Sequence, residues 1–204
     1  MKKKIFKIVF IVIFIILMVF LINLLRKSMI INEYSRKLNE YQALKNFYAK
    51  FESENYIQEF WRKDDVGITK YTNDDEIRTM YATDNEVWTI LDRERYVQKM
   101  ESHNKGAFLP TIEGATLYVD NFWEAIKLAF ESKITSEIVS DKDCYKIYFD
   151  KDFQIFVNKK DYMKIKEINS GKTRCLLEYS IGTVKDEDVK FPNIEGYKIE
   201  EISS

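Results

Sequence analysis

The sequence predicts an α+β protein: an N-terminal transmembrane helix, then a curled antiparallel sheet packed against helices. Three observations carry this expectation. Residues 8–22 are apolar without a break. Most of the remaining chain alternates apolar and polar residues in short runs separated by turn formers. One later segment, VDNFWEAIKLAFESK, changes to helical spacing. Alternation with period two marks half-buried strands, and spacing near 3.6 marks an amphipathic helix.

The apolar run, IVFIVIFIILMVFLI, extends to Leu25 when Asn23 is allowed. At ~1.5 Å per residue, eighteen residues span about 27 Å, close to the hydrocarbon thickness of a bilayer. Lys2, Lys3, Lys4 and Lys7 flank its start, and Arg26 and Lys27 close it. Positive flanks stay inside, so the N-terminus is expected in the cytoplasm and the body beyond the membrane. A cleaved signal would carry small residues at its cut site, where this chain has Asn-Leu-Leu-Arg-Lys-Ser. A lipoprotein would carry a cysteine just after the run, and the first cysteine is Cys144. Residues 1–28 therefore read as a cytoplasmic N-terminus and retained cell-membrane anchor, and 29–204 as one extracytoplasmic domain. A cleaved signal is the competing reading.

Charge divides at the same boundary. Residues 1–27 hold six basic groups and no acidic ones, which leaves 26 basic against 33 acidic groups in the body. An acidic body repels phosphate backbones, so nucleic-acid binding is not expected.

The segment INEYSRKLNEYQALKNFYAKF places Tyr34, Leu38, Tyr41 and Leu44 on one helical stripe and reads as a helix leading onto the domain. Next come NYIQEFWRK, VGITKYT, EIRTMYAT and EVWTIL, strand-like runs with Asp-Asp and Asn-Asp turns between them. Tyr96 to Met100 adds a strand, and Ser102 to Gly114 reads as a loop. The helix that follows has Asn121 as its cap and Glu124 three residues on, the capping-box spacing. Phe122, Ile126, Ala129 and Phe130 are its expected buried face, with Trp123 beside it. KITSEIV, CYKIYF, FQIFVN, YMKIKEI and TRCLLEYSI complete nine or ten strands.

EFWRKDD followed by MYATDNEVWTIL, then CYKIYF, FQIFVNKKDYMKIKEINSGK and EYSIGTVKDEDVKFPNIEGYKI, resemble the LolA/LppX-like family of lipoprotein carriers over residues 30–200. The resemblance implies an incomplete β-barrel closed by helices, with an apolar concave face that receives acyl chains. A clostridial spore-germination relative of GerS type has that fold and acts instead as a protein partner of a peptidoglycan-cortex amidase. This chain lacks the lipidation cysteine of that relative and carries an apolar anchor in its place.

Chemistry is sparse. His103 is the one histidine, in a loop with Asn104, Lys105 and Gly106, too little for a histidine-rich metal site. Cys144 and Cys175 fall on predicted strands separated by two others, too far apart for a bridge. Asp74-Asp75-Glu76, Asp141-Lys142-Asp143 and Asp186-Glu187-Asp188 lack calcium-loop spacing and read as solvated turns. No GxSxG, HExxH or phosphate-binding glycine loop occurs. The expectation is a non-catalytic interaction module, without cofactor or metal, that binds a cell-envelope protein in a sporulation or germination setting. The alternative is a lipid or lipoprotein acyl chain in the concave face. Trp61, Trp88 and Trp123 are the candidate ligand- or partner-binding residues, because tryptophan is enriched at binding hot spots. Open sheet edges also make a homodimer an expectation.

Overall fold

The computed structural model describes residues 2–112 and 119–202. Helix α1 (Lys2–Gln42) is one continuous helix. Its outer part, residues 6–23 and 25–26, is exposed, and the run is long and apolar enough to cross a membrane, with a mean hydropathy of 3.4. No Gly or Pro interrupts residues 2–42, so nothing stops the helix at Arg26-Lys27. The apolar segment and the domain's leading helix are therefore a single rod.

Twelve strands follow among the described residues: β1 (Asn46–Ser53), β2 (Tyr56–Lys63), β3 (Val66–Thr72), β4 (Ile77–Thr83), β5 (Glu86–Leu91), β6 (Tyr96–Glu101), β7 (Lys133–Val139), β8 (Lys142–Tyr148), β9 (Phe153–Asn158), β10 (Lys164–Asn169), β11 (Lys172–Ile181) and β12 (Lys198–Ile202). Helix α2 (Phe122–Glu131) separates β6 from β7. They form one curled sheet in the order β12-β6-β5-β4-β3-β2-β1-β11-β10-β9-β8-β7. Two meanders meet where β1 pairs with β11, and all pairs are antiparallel except β6 with β12. Strands β7 and β12 are the free edges.

Three expectations need correction. The stretch NFYAKF is strand, not the end of a helix. Phe47, Ala49 and Phe51 alternate inward at period two, and pairing with both β2 and β11 outweighs any helical tendency. The strand count is higher than nine or ten, partly because β12 has every residue exposed and so carries no apolar signal. Helix α2 buries Ala125 and Ala129 against Ile31 of α1, while Phe122, Trp123 and Phe130 stay exposed. The cap is as expected: the Asn121 side chain accepts from the backbone N–H groups of Trp123 and Glu124. The loop extends over residues 102–112 as expected, and Gly114 lies outside the described residues.

One sheet face carries almost all the covering elements. Ile30, Tyr34 and Leu38 of α1 pack on Ile147, Ile155 and Val157. On the same face, Phe47, Ala49, Phe51 and Phe60 join Ile112, Met163, Ile165 and Leu176 in a second cluster. The 102–112 loop crosses this face farther along, with Leu109 against Ala82 and Val87 and Pro110 against Gly67. The opposite face is partly covered by the C-terminal segment, whose Phe191 packs edge-on against Tyr81 and Trp88.

Candidate functional site

The helix-bearing face of the sheet is filled by its own side chains. Phe51 and Phe60 meet edge-to-face at 5.7 Å, and the Arg174 guanidinium lies 4.0 Å from the Phe51 ring centre. Arg174 also donates to Gln58 Oε1 at 3.1 Å, which places a charged group on this face toward the hairpin tips. At the rim, Lys164 is buried and pairs with Glu167 at 2.7 Å. An opening of about 450 Å³ lies at the hairpin tips, lined by Ser53, Glu54, Asn55, Tyr56 and Glu167 with residues 169–174. That lining suits polar partners better than an acyl chain.

The three tryptophans take different positions. Trp61 on β2 and Trp88 on β5 fall on one cross-strand row, Tyr48–Trp61–Ile68–Tyr81–Trp88–Lys99, on the face opposite α1. Tyr48 and Trp61 stack at 5.2 Å, and Lys99 Nζ lies 4.9 Å over Trp88. Phe191 covers the Trp88 end, and the Tyr48–Trp61 end is half-buried. Trp123 stands apart on α2 and is 78% exposed. Register, invisible in a single sequence, unites the first two and excludes the third. Beside this row the Tyr48 hydroxyl donates to Glu59 at 3.0 Å, and Lys50 lies 3.8 Å from the same carboxylate.

The two cysteines are not bridged. Cys144 and Cys175 are free thiols on β8 and β11 with β9 and β10 between them, about 14 Å at the usual strand spacing. Burial pushes both thiols up in pKa, away from the nucleophilic thiolate. Among the described residues, no three His, Cys, Asp or Glu side chains converge as a metal-binding group.

Sequence reading missed the residue that ties the helix to the sheet. Asp161, in the turn between β9 and β10, accepts the Tyr179 hydroxyl at 2.5 Å through Oδ2 and the Met163 N–H at 3.1 Å through Oδ1. Its backbone carbonyl accepts the Tyr41 hydroxyl from α1 at 2.7 Å. Burial, and then the bond to Asp161, raise the Tyr179 pKa. The neutral phenol is the form the fold holds, whereas an unfolded tyrosine ionises near ~10. The stabilisation is therefore complete below pH ~10 and declines as pH rises toward the folded pKa. Thermal melting of the full chain in detergent should fall above that pH. Tyr179→Phe should lose about 1 kcal/mol at neutral pH but decline less steeply in alkali. Equal alkaline slopes for the two proteins would remove Tyr179 from this role.

No protein-family model matches the chain, and no curated protein matches it either. Solved structures do. An uncharacterized conserved protein from Thermus thermophilus superposes with a TM-score of 0.52 at 8% identity, covering 85% of this chain and 98% of its own. That likeness shows a shared fold and nothing more. A LolA superfamily protein from Nitrosomonas europaea also matches, at 8% identity over 79% of this chain and 97% of its own. Its TM-score of 0.30 is too low to carry an argument about this chain.

Proposed function

We propose that this protein is a non-catalytic module, held at the membrane by α1, that binds another extracytoplasmic protein of the cell envelope. The observation that carries this reading is the filled helix-bearing face. Phe47, Phe51, Phe60 and Ile112 occupy the space that an acyl chain would need. A packed face leaves protein surface, not a cavity, as the means of recognition. The half-buried Tyr48–Trp61 pair, flanked by Lys50 and Glu59, is the part of the opposite face best suited to it: rigid aromatics offer contact area at low entropic cost, and the charges set orientation. The LolA-like resemblance adds the class of partner. A peptidoglycan amidase of sporulation or germination is the one implied by the GerS-type resemblance read from the sequence. The free edges β7 and β12 offer the same module a route to self-association.

A photo-crosslinking residue at position 59, in the full chain within its native membrane, tests this reading. Trp61→Ala should abolish the crosslink to one extracytoplasmic protein. A crosslink to lipid alone, together with stoichiometric binding of a fluorescent fatty acid by residues 27–204, would replace the protein-partner reading with the acyl-chain reading.

A further inference from the structure

A crevice of about 210 Å³ opens where α1 leaves its apolar run and meets the start of β7. It is lined by Asn23, Arg26, Lys27 and Ile30 of α1, by Thr135 and Ser136 of β7, and by Tyr145 of β8 among others. Its donors are the Arg26 guanidinium, the Asn23 amide and the hydroxyls of Ser136 and Tyr145, the chemistry that recognises a phosphate. Arg26 is exposed beside it and, among the described residues, forms no ion pair.

Its height along α1 indicates the occupant. The apolar run reaches Leu25 with Asn23 allowed, and Arg26 follows it directly. A bilayer's polar zone adds about 5–7 Å to each side of the hydrocarbon core, a distance the long Arg26 side chain spans, so its guanidinium reaches the level of the lipid phosphates. Helix α2 marks the same level independently. It descends beside α1 from Val119, whose N–H donates to Ser35 Oγ at 3.1 Å, to the last turn, where Lys27 Nζ donates to the carbonyls of Ala129 and Ser132 at 3.0 and 2.5 Å. At its foot Phe130, 68% exposed, meets Phe20 edge-to-face at 6.2 Å. Phe20 belongs to the apolar run, so the foot of α2 reaches hydrocarbon depth. The crevice beside it then opens into the headgroup layer.

We propose that this crevice binds the phosphate of a phospholipid from the leaflet on the domain's side, with Arg26 as its principal ligand and Asn23 and Ser136, which shares the α1 face of β7 with Ile134, completing the hydrogen bonds. Phe130 packs along the upper part of the acyl chains. The site holds the domain in one orientation on the membrane, which a single helix alone would leave free to rotate. The inference rests on α1 spanning the membrane and is independent of the protein-partner reading.

The test is native mass spectrometry of the full chain released from nanodiscs of phosphatidylglycerol or phosphatidylcholine. One lipid adduct is expected to persist preferentially from phosphatidylglycerol, with occupancy reduced at least fivefold in Arg26→Ala and Asn23→Ala. Millimolar inorganic phosphate should not displace it. Displacement would make a free anion the occupant and overturn the proposal, as would equal adducts in wild type and Arg26→Ala. Alkaline extraction of wild-type proteoliposomes separates the two failures. Release of the protein overturns the spanning helix itself, whereas retention with unselective adducts overturns the crevice alone.

Discussion

A fragment beginning at residue 43 is expected to remain unfolded, whereas one beginning at residue 27 is expected to fold and dissolve without detergent. The difference is sixteen residues of α1. In them Ile30, Ile31, Tyr34 and Leu38 are buried against the sheet and α2. Each large apolar side chain contributes about 1.5–3 kcal/mol on burial, so the four together contribute about 6–12 kcal/mol. That is comparable with the whole stability of an ordinary domain, about 5–15 kcal/mol. Tyr34, fully buried among Ile147, Ile155 and Val157, is the centre of the contact, and Tyr34→Ala should cost about 3–5 kcal/mol. Near-ultraviolet circular dichroism and urea titration of both fragments decide the matter. Cooperative unfolding of the shorter one would mean that the sheet is self-sufficient and that α1 is only a tether. If the prediction holds, the tether and the fold share one rod, and the domain cannot pivot freely about its anchor.

The same rod shows what a single sequence reveals and what it does not. The apolar run is legible because residues 8–25, apolar but for Asn23, would span about 27 Å as a helix, close to the hydrocarbon thickness of a bilayer. The continuity of α1 past Arg26-Lys27 is not, since a basic pair closes an apolar run without ending a helix. Alternation reveals most strands. Helical spacing misleads at NFYAKF, where the stripe through Tyr34, Leu38, Tyr41 and Leu44 runs on by coincidence into Phe47 and Phe51. Strand β12 has no apolar pattern, because its pairing with β6 depends on a nonlocal parallel ladder and leaves both faces exposed. On α2 the cap is legible from Asn121 and Glu124, but the buried face is not. Close approach to α1 selects Ala125 and Ala129, and the bulky aromatics that usually signal a core are left outside. For the candidate binding surface, residue type identifies Trp61 and Trp88, while only strand register places them in one row and leaves Trp123 elsewhere. Asp161 gives no signal, since an aspartate in a turn looks like any solvated turn residue until Tyr41 and Tyr179 converge on it from opposite ends of the chain.

Gly67→Val is expected to unseat the 102–112 loop and turn a packed face into an open trough. A Cβ at position 67 would lie 2.3 Å from Pro110 Cδ and 2.8 Å from Cγ, and a rigid ring cannot move aside as a flexible side chain would. Arg62 Nη1 donates to the Pro110 carbonyl at 3.2 Å and holds the loop in place, so the strain has no easy release. The cost should be about 3 kcal/mol for valine and about 2 for alanine. Pro110→Ala removes the clashing ring atoms, so combining it with Gly67→Ala should recover at least ~1 kcal/mol relative to additivity, measured as a double-mutant cycle. Displacing Pro110 also pulls on Leu109 and Ile112, which cover Ala82, Val87 and the Phe47–Phe60 cluster. Gly67→Val should therefore gain binding of a fluorescent fatty acid that the wild-type fragment lacks. If wild type binds the probe equally well, the face is already open, and the protein-partner reading loses the observation on which it stands. If only the variant binds, the loop is what separates this protein's surface from that of an acyl-chain carrier.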